Sequence, residues 1–226
     1  MSVKHVLFIL TNAAEIGPRQ RATGYFYPEV AHPFEVFDEA GIAVEYASPL
    51  GGNPPFDGFD ANDPSQVAFS QSAAIRRMAH SRKLSEVDVL DYDAIFFPGG
   101  LGPMVDIATD PDVKQAVLRA WNGGKIVSAV CHGPVALLGV NLDDGTPLVK
   151  GRKLTSFSNA EEEGYAKADV PFLLEDALRA AGAEYSSTDV WQSKVVVDGR
   201  LITGQNPASG GPLAEAVVAA LRETKG

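Results

Sequence analysis

Short, continuous apolar runs alternate along this chain with stretches of helical period. Residues 6–10 (VLFIL), 44–47, 94–97 (AIFF) and 125–130 lack the in–out alternation of a half-wet sheet. They read as strands buried on both faces. Between them, residues 29–40 place Val30, Phe34 and Phe37 on one face of a helix that Gly41 ends, and Pro33 falls early enough to be tolerated. Residues 110–121 form a second helix, opened by an N-cap at Thr109 or Asp110 with Pro111 in the first turn. Further on, 154–157 reads as a strand, 171–181 as a helix, and 195–197 with 201–203 as a hairpin around Asp198, Gly199 and Arg200. An Ala-rich helix over 209–221 closes the pattern.

Strands alternating with helices imply an α/β fold, a mostly parallel sheet with helices on both faces. Residues 50–91 break the rhythm. They begin with SPLGGNPPFDGFDANDPS (48–65), and only 65–78 are weakly helical. The expectation is one domain over 1–226, with 50–91 as a loop-rich insertion or cap.

Composition narrows the partners. A formal net charge of -10 argues against a nucleic-acid backbone as ligand. One cysteine in 226 residues makes no internal disulfide and suits a reducing compartment, so the cytoplasm is the expected location. The first apolar run is about seven residues, at the short limit of a signal segment, and reads as a strand. No run approaches the length of a membrane span.

The lone cysteine, Cys131, stands in KIVSAVCHGPVALLG (125–139), where a strand gives way to a turn. Ligands of parallel α/β sheets collect at the carboxyl ends of strands. Ala129-Val130-Cys131-His132-Gly133 is small-x-nucleophile-x-small, the thiol counterpart of a nucleophile elbow. A helix starting near Pro134 would present its positive end to the sulfur and favour thiolate. His132 is a candidate base, although neighbours on a turn diverge and its ring need not reach the sulfur. A second turn, FFPGGLGP (96–103), offers Gly99 and Gly100 as oxyanion donors. Glu29 is a candidate acid that would share a proton with the thiol. In SFSNAEEE, one of Glu161, Glu162 and Glu163 is a candidate to orient His132.

Together with ATGYFYPEVAHPFEVF (22–37), LTSFSNAEEE (154–163) and DGRLITGQNPASG (198–210), these motifs resemble the ThiJ/PfpI superfamily. That is a cysteine-dependent, flavodoxin-like group related to class I glutamine amidotransferases. The closer likeness is to its branch of glutathione-independent glyoxalase III enzymes and heat-inducible chaperones. The resemblance implies a flavodoxin-like three-layer sandwich with Cys131 as nucleophile, His132 beside it and Glu29 hydrogen-bonded to the sulfur. It makes Glu162 the third acidic residue and leaves Glu161 and Glu163 on the surface. Gly100 and the N–H groups of Leu101 and His132 would line the oxyanion region. Many members carry a His where Leu101 stands, so a side chain is missing from the pocket rim. The tail motif from Asn206 to Ser209 is expected to pack near the site without reacting.

The implied reaction converts a small reactive carbonyl, a 2-oxoaldehyde such as methylglyoxal, to a 2-hydroxy acid such as lactate. It needs neither metal nor other cofactor, and the resemblance suggests a homodimer. Alternatives are a stress-related chaperone using an apolar patch at Phe56, Phe59 and Phe69, a deglycase, a cysteine redox sensor, and a hydrolase or hydratase of the same superfamily. A glutaminase triad is disfavoured, because no His follows His132.

Overall fold

The apolar runs form the middle of a seven-stranded sheet in the order β6-β7-β5-β4-β1-β2-β3, seen in a computed structural model that describes residues 3–223. In chain order the strands are β1 (His5–Ile9), β2 (Ala43–Ser48), β3 (Arg82–Lys83), β4 (Ala94–Phe97), β5 (Ile126–Val130), β6 (Val195–Asp198) and β7 (Leu201–Gly204). Every neighbouring pair is parallel except the β6–β7 hairpin. The helices are α1 (Pro28–Glu39), α2 (Pro64–Gln71), α3 (Ala73–Met78), α4 (Pro111–Asn122), α5 (Asn159–Glu163), α6 (Leu174–Ala180) and α7 (Gly210–Glu223).

Alternate residues of the central strands enter two separate cores. Leu7, Ile9, Ile95, Phe97 and Val127 join Val113, Ala116, Val117 and Ala120 of α4. Val6, Phe8, Phe96, Ile126 and Val130 join Val30 and Phe37 of α1 and Leu213, Val217 and Leu221 of α7. A strand covered on both sides has no wet face, which is why its sequence does not alternate. The result is the flavodoxin-like three-layer α/β sandwich. Helix α4 starts where its sequence dictates: the Asp110 carboxylate accepts the N–H groups of Asp112 (2.8 Å) and Val113 (3.0 Å), and Pro111 takes the first position.

Several expectations are corrected. Residues 154–157 are not a strand of the main sheet. Only Lys153–Leu154 is extended, paired with Glu184–Tyr185 in a separate ribbon. Thr155 then donates its N–H to Thr203 Oγ1 (2.9 Å), and Phe157 donates to Cys131 O (2.8 Å), which draws the chain towards the end of β5. The helix expected over 171–181 begins only at Leu174. Residues 65–78 form two helices, because the Ser72 hydroxyl accepts from Ala74 N–H (3.1 Å) and restarts the chain. Residues 50–91 also supply the short edge strand β3, which no apolar run marks. Phe69 is buried, its ring 5.1 Å from that of Phe34 and 5.8 Å from that of Tyr27, whereas Phe56 and Phe59 are exposed. Among the described residues, no helix is long and apolar enough to cross a membrane.

Phe8 anchors the α1–α7 side. Its ring stacks on Phe96 at 4.6 Å and meets Phe37 and Tyr46 edge-on at 5.9 Å. Phe8→Ala is expected to lower stability by roughly 3–5 kcal/mol. Urea unfolding would measure it, and a loss below about 1 kcal/mol would show that this core re-collapses around the gap.

Candidate active site

At the carboxyl end of β5 the chain turns through Cys131 at φ 60°, a left-handed conformation that residues with a β-carbon avoid. The surroundings force it. Cys131 donates its N–H to Gly204 O at 2.9 Å, and its own carbonyl accepts from Phe157 at 2.8 Å. Gly133 comes two residues later, where a β-carbon would lie 2.2 Å from Phe97 O. The side chain at the apex is therefore aimed into the space beside β4, as the elbow spacing predicts.

Beyond the elbow the chain forms a five-residue 3-10 turn, Gly133–Leu137, instead of the predicted α-helix. So short a segment supplies little macrodipole. Individual dipoles replace it: the backbone N–H groups of Gly100 and His132 favour the ionised sulfur.

Glu29, in the first turn of α1, is fully buried. Its Oε2 accepts the Gly99 N–H at 2.7 Å, and Oε1 has no conventional partner. Burial raises this carboxyl to about 8, opposed by hydrogen bonds from Cys131 and Gly99. Burial, and then the charge of Glu29, push the thiol well above its ordinary value. Neither group ionises easily beside the other, so after the first deprotonation the pair holds one proton in common. Cys131 is thus one half of a proton-sharing pair and not the independently ionised thiolate that a helix dipole would create.

The glycine turn makes this contact geometrically available. A β-carbon at Gly99 would lie 2.5 Å from Glu29 Oε2 and 2.6 Å from Cys131 Cβ. Because the Gly99 N–H is committed to Glu29, Gly99 drops out of the oxyanion donors, and Gly100, at φ 94°, remains. Leu101 offers only its backbone. Its side chain is buried in the α4-side core with Ile9, Ile16 and Met104, away from the pocket rim where the resemblance set it.

His132 does reach the sulfur. Its Nδ1 is 3.3 Å from Cys131 Sγ and its Nε2 is 2.7 Å from Glu162 Oε2. The left-handed turn folds the two neighbouring side chains to one side, against the divergence expected of neighbours on a turn. With Nε2–H donated to Glu162, Nδ1 keeps its lone pair towards the sulfur.

Of the three glutamates, Glu163 is exposed and pairs with Lys167, but Glu161 is as buried as Glu162. Glu161 accepts hydrogen bonds from Ser158 N–H and Oγ, Trp191 N–H, Gln205 Nε2 and Asn206 Nδ2, at 2.7–3.1 Å. This corrects the surface position that the resemblance implied. The available signal was the capping box from Ser158 to Glu161, together with the amides of Gln205 and Asn206. A surface cavity of about 850 Å³ lies along β2 near Arg76, Arg77 and Tyr46, and Cys131 does not line it.

The shared proton sets a testable pH window. Below about 8 Glu29 and the thiol both keep their protons; as pH rises through that value Glu29 ionises first, and the sulfur, held well above its ordinary value, can then hand its proton to that carboxylate. Alkylation of Cys131 by iodoacetamide should accelerate across this window. In Glu29→Gln the group that titrates near 8 and accepts the thiol proton is gone, so the rise in that window should be lost. An unmoved profile would mean that another group titrates.

Comparison with known proteins bears on the family and the fold. Residues 22–220 match the DJ-1/PfpI family. Glyoxalase 3 of Candida albicans is 33% identical over 218 residues, covering 88% of this chain and 90% of its own. Glutathione-independent glyoxalase HSP31 of Saccharomyces cerevisiae is 30% identical over 223 residues, covering 92% and 94%. Among solved structures, glyoxalase III from Candida albicans superposes with a TM-score of 0.85 at 31% identity, covering 96% of this chain and 97% of that one. Rapid Encystment Protein 24 KDa of Francisella tularensis superposes with a TM-score of 0.92 at 34% identity, covering 97% and 99%. The sheet order, the cysteine elbow and these matches lead to one conclusion: the chain belongs to the DJ-1/PfpI family.

Proposed function

We propose that the protein is a cysteine-dependent, glutathione-independent glyoxalase III that adds water to a 2-oxoaldehyde, R–CO–CHO, and releases the 2-hydroxy acid R–CHOH–COOH. The observation that carries this reading is one nucleophile flanked by two proton-handling groups, Glu29 on one side and the His132–Glu162 pair on the other. The glyoxalase names of relatives that align over most of the chain support it.

The steps balance without an external oxidant. The S–H proton passes to Glu29, and the thiolate adds to C1 to form a hemithioacetal whose oxygen lies at the Gly100 and His132 N–H groups. His132 Nδ1, left free because Glu29 holds the first proton, removes the hydrogen on C1, and an enediolate forms. The same proton returns to C2, and Glu29 gives the proton it took from the thiol to the C2 oxygen. C1 has then been oxidised to a thioester and C2 reduced to a carbinol within one molecule. Water cleaves the thioester, the acid leaves, and Cys131 is regenerated. The protein's own thiol does the work of a soluble one, and the scheme uses no metal or other cofactor.

Glu162 acts through His132, fixing its tautomer and stabilising its charged form. Cys131→Ala should abolish lactate formation from methylglyoxal in the absence of glutathione. Glu162→Gln should lower kcat by about 10²-fold with a smaller change in KM. Turnover by the Cys131 variant would overturn the mechanism. A Glu162 variant altered only in KM would remove that residue from proton transfer.

A further inference from the structure

Three aromatic side chains beside the site have no role in these steps. The Phe157 ring lies over the His132 imidazole, with centroids 4.5 Å apart. Tyr165 and Trp191 both meet Phe157 edge-on, at 5.7 Å and 5.5 Å, and each other at 6.1 Å. Phe157 is buried, Tyr165 is partly exposed and Trp191 is 49% exposed.

Trp191 is held in this position against its own preferences. Its backbone is left-handed, at φ 62°, in a residue with a β-carbon. That conformation costs of order 1–3 kcal/mol and persists only where surrounding contacts impose it. Here the contact is the buried Glu161 carboxylate, whose Oε1 accepts the Trp191 N–H at 2.9 Å while four other donors pin the same carboxylate. The clamp leaves half of an indole in water, an apolar surface without a protein partner. Tyr165 is fixed from behind: the Arg21 guanidinium lies 4.7 Å over its ring and donates to its carbonyl at 3.2 Å. The Tyr165 phenol is pushed up to about 12 by burial first and by the charge of Cys131 next.

We propose that Phe157, Tyr165 and Trp191 form a shelf that receives the substituent R of the 2-oxoaldehyde, so that aryl glyoxals gain binding that a methyl group does not. The proposal rests on the glyoxalase reading. Phe157 packs on the same His132 ring whose Nδ1 is 3.3 Å from the sulfur, so a substituent that leaves the sulfur on the His132 side is directed to Tyr165 and Trp191. An aryl group there meets aromatic faces and edges already held in place, and each such contact adds binding beyond simple burial.

The test compares kcat/KM for phenylglyoxal with kcat/KM for methylglyoxal in wild type, Trp191→Ala and Trp191→Phe. The ratio within one preparation is independent of its folded fraction, and the ratio between variants cancels the intrinsic reactivity of the two aldehydes. The ratio should fall about tenfold in Trp191→Ala, mostly through KM for phenylglyoxal, and recover largely in Trp191→Phe. Turnover of methylglyoxal with an unchanged ratio in Trp191→Ala overturns the shelf and leaves the glyoxalase reading standing. Wild type that turns over neither aldehyde overturns both.

Discussion

A carboxyl group and a thiol buried side by side, with one proton to share, are the constraint around which this end of the molecule is arranged. Glu29 has no water and Cys131 almost none, so each can ionise only at the other's expense. That coupling needs close approach, and close approach needs Gly99 between them without a side chain. It also needs α1 to start where it does, because Glu29 enters the site from the first turn of a helix whose other residues, Val30 and Phe37, are locked into the sheet. The chemistry and the packing of one core thus share a helix.

The second constraint is backbone strain. The left-handed turn at Cys131 brings His132 Nδ1 to the sulfur, and through His132 recruits Glu162. Residues 155–157 leave their extended path to close the elbow, with Phe157 donating to the Cys131 carbonyl. This departure explains why LTSF does not lengthen the main sheet. The same strand-like segment delivers Phe157 to His132 and α5 to the site, so losing a strand there is the condition for bringing Glu161 and Glu162 inside.

Glu161 and Glu162 divide the work of adjacent carboxylates. Glu162 faces the imidazole, and Glu161 faces a ring of amide and hydroxyl donors, most of them from later segments. A buried carboxylate with that many donors is strongly satisfied and ties the tail motif, Gln205 and Asn206, to the loop that carries Trp191. The tail therefore shapes the wall of the site although none of its residues touches the sulfur.

Much of this was legible in one dimension. Continuous apolar runs such as AIFF and IVSAV determine strands covered on both sides, because a side chain on either face finds a core; the layer order comes from the alternation with helices. The small-x-Cys-x-small spacing placed the nucleophile, since only small flanking residues fit that turn. Cys131, His132, Glu29 and Glu162 were nameable from motifs. Tertiary structure alone decided what those motifs do to one another. Burial of Glu29, the commitment of Gly99 to a carboxylate, the inward turn of Glu161 and the burial of Leu101 all depend on which segments arrive from far along the chain. In place of the helix expected after Cys131 stands a short 3-10 turn whose first residue, Gly133, lies against the β4 carbonyl of Phe97, a crowding that no local pattern records. Sequence periodicity reports which face of an element is dry; it does not report which charged group shares that dryness, and here that decided the chemistry.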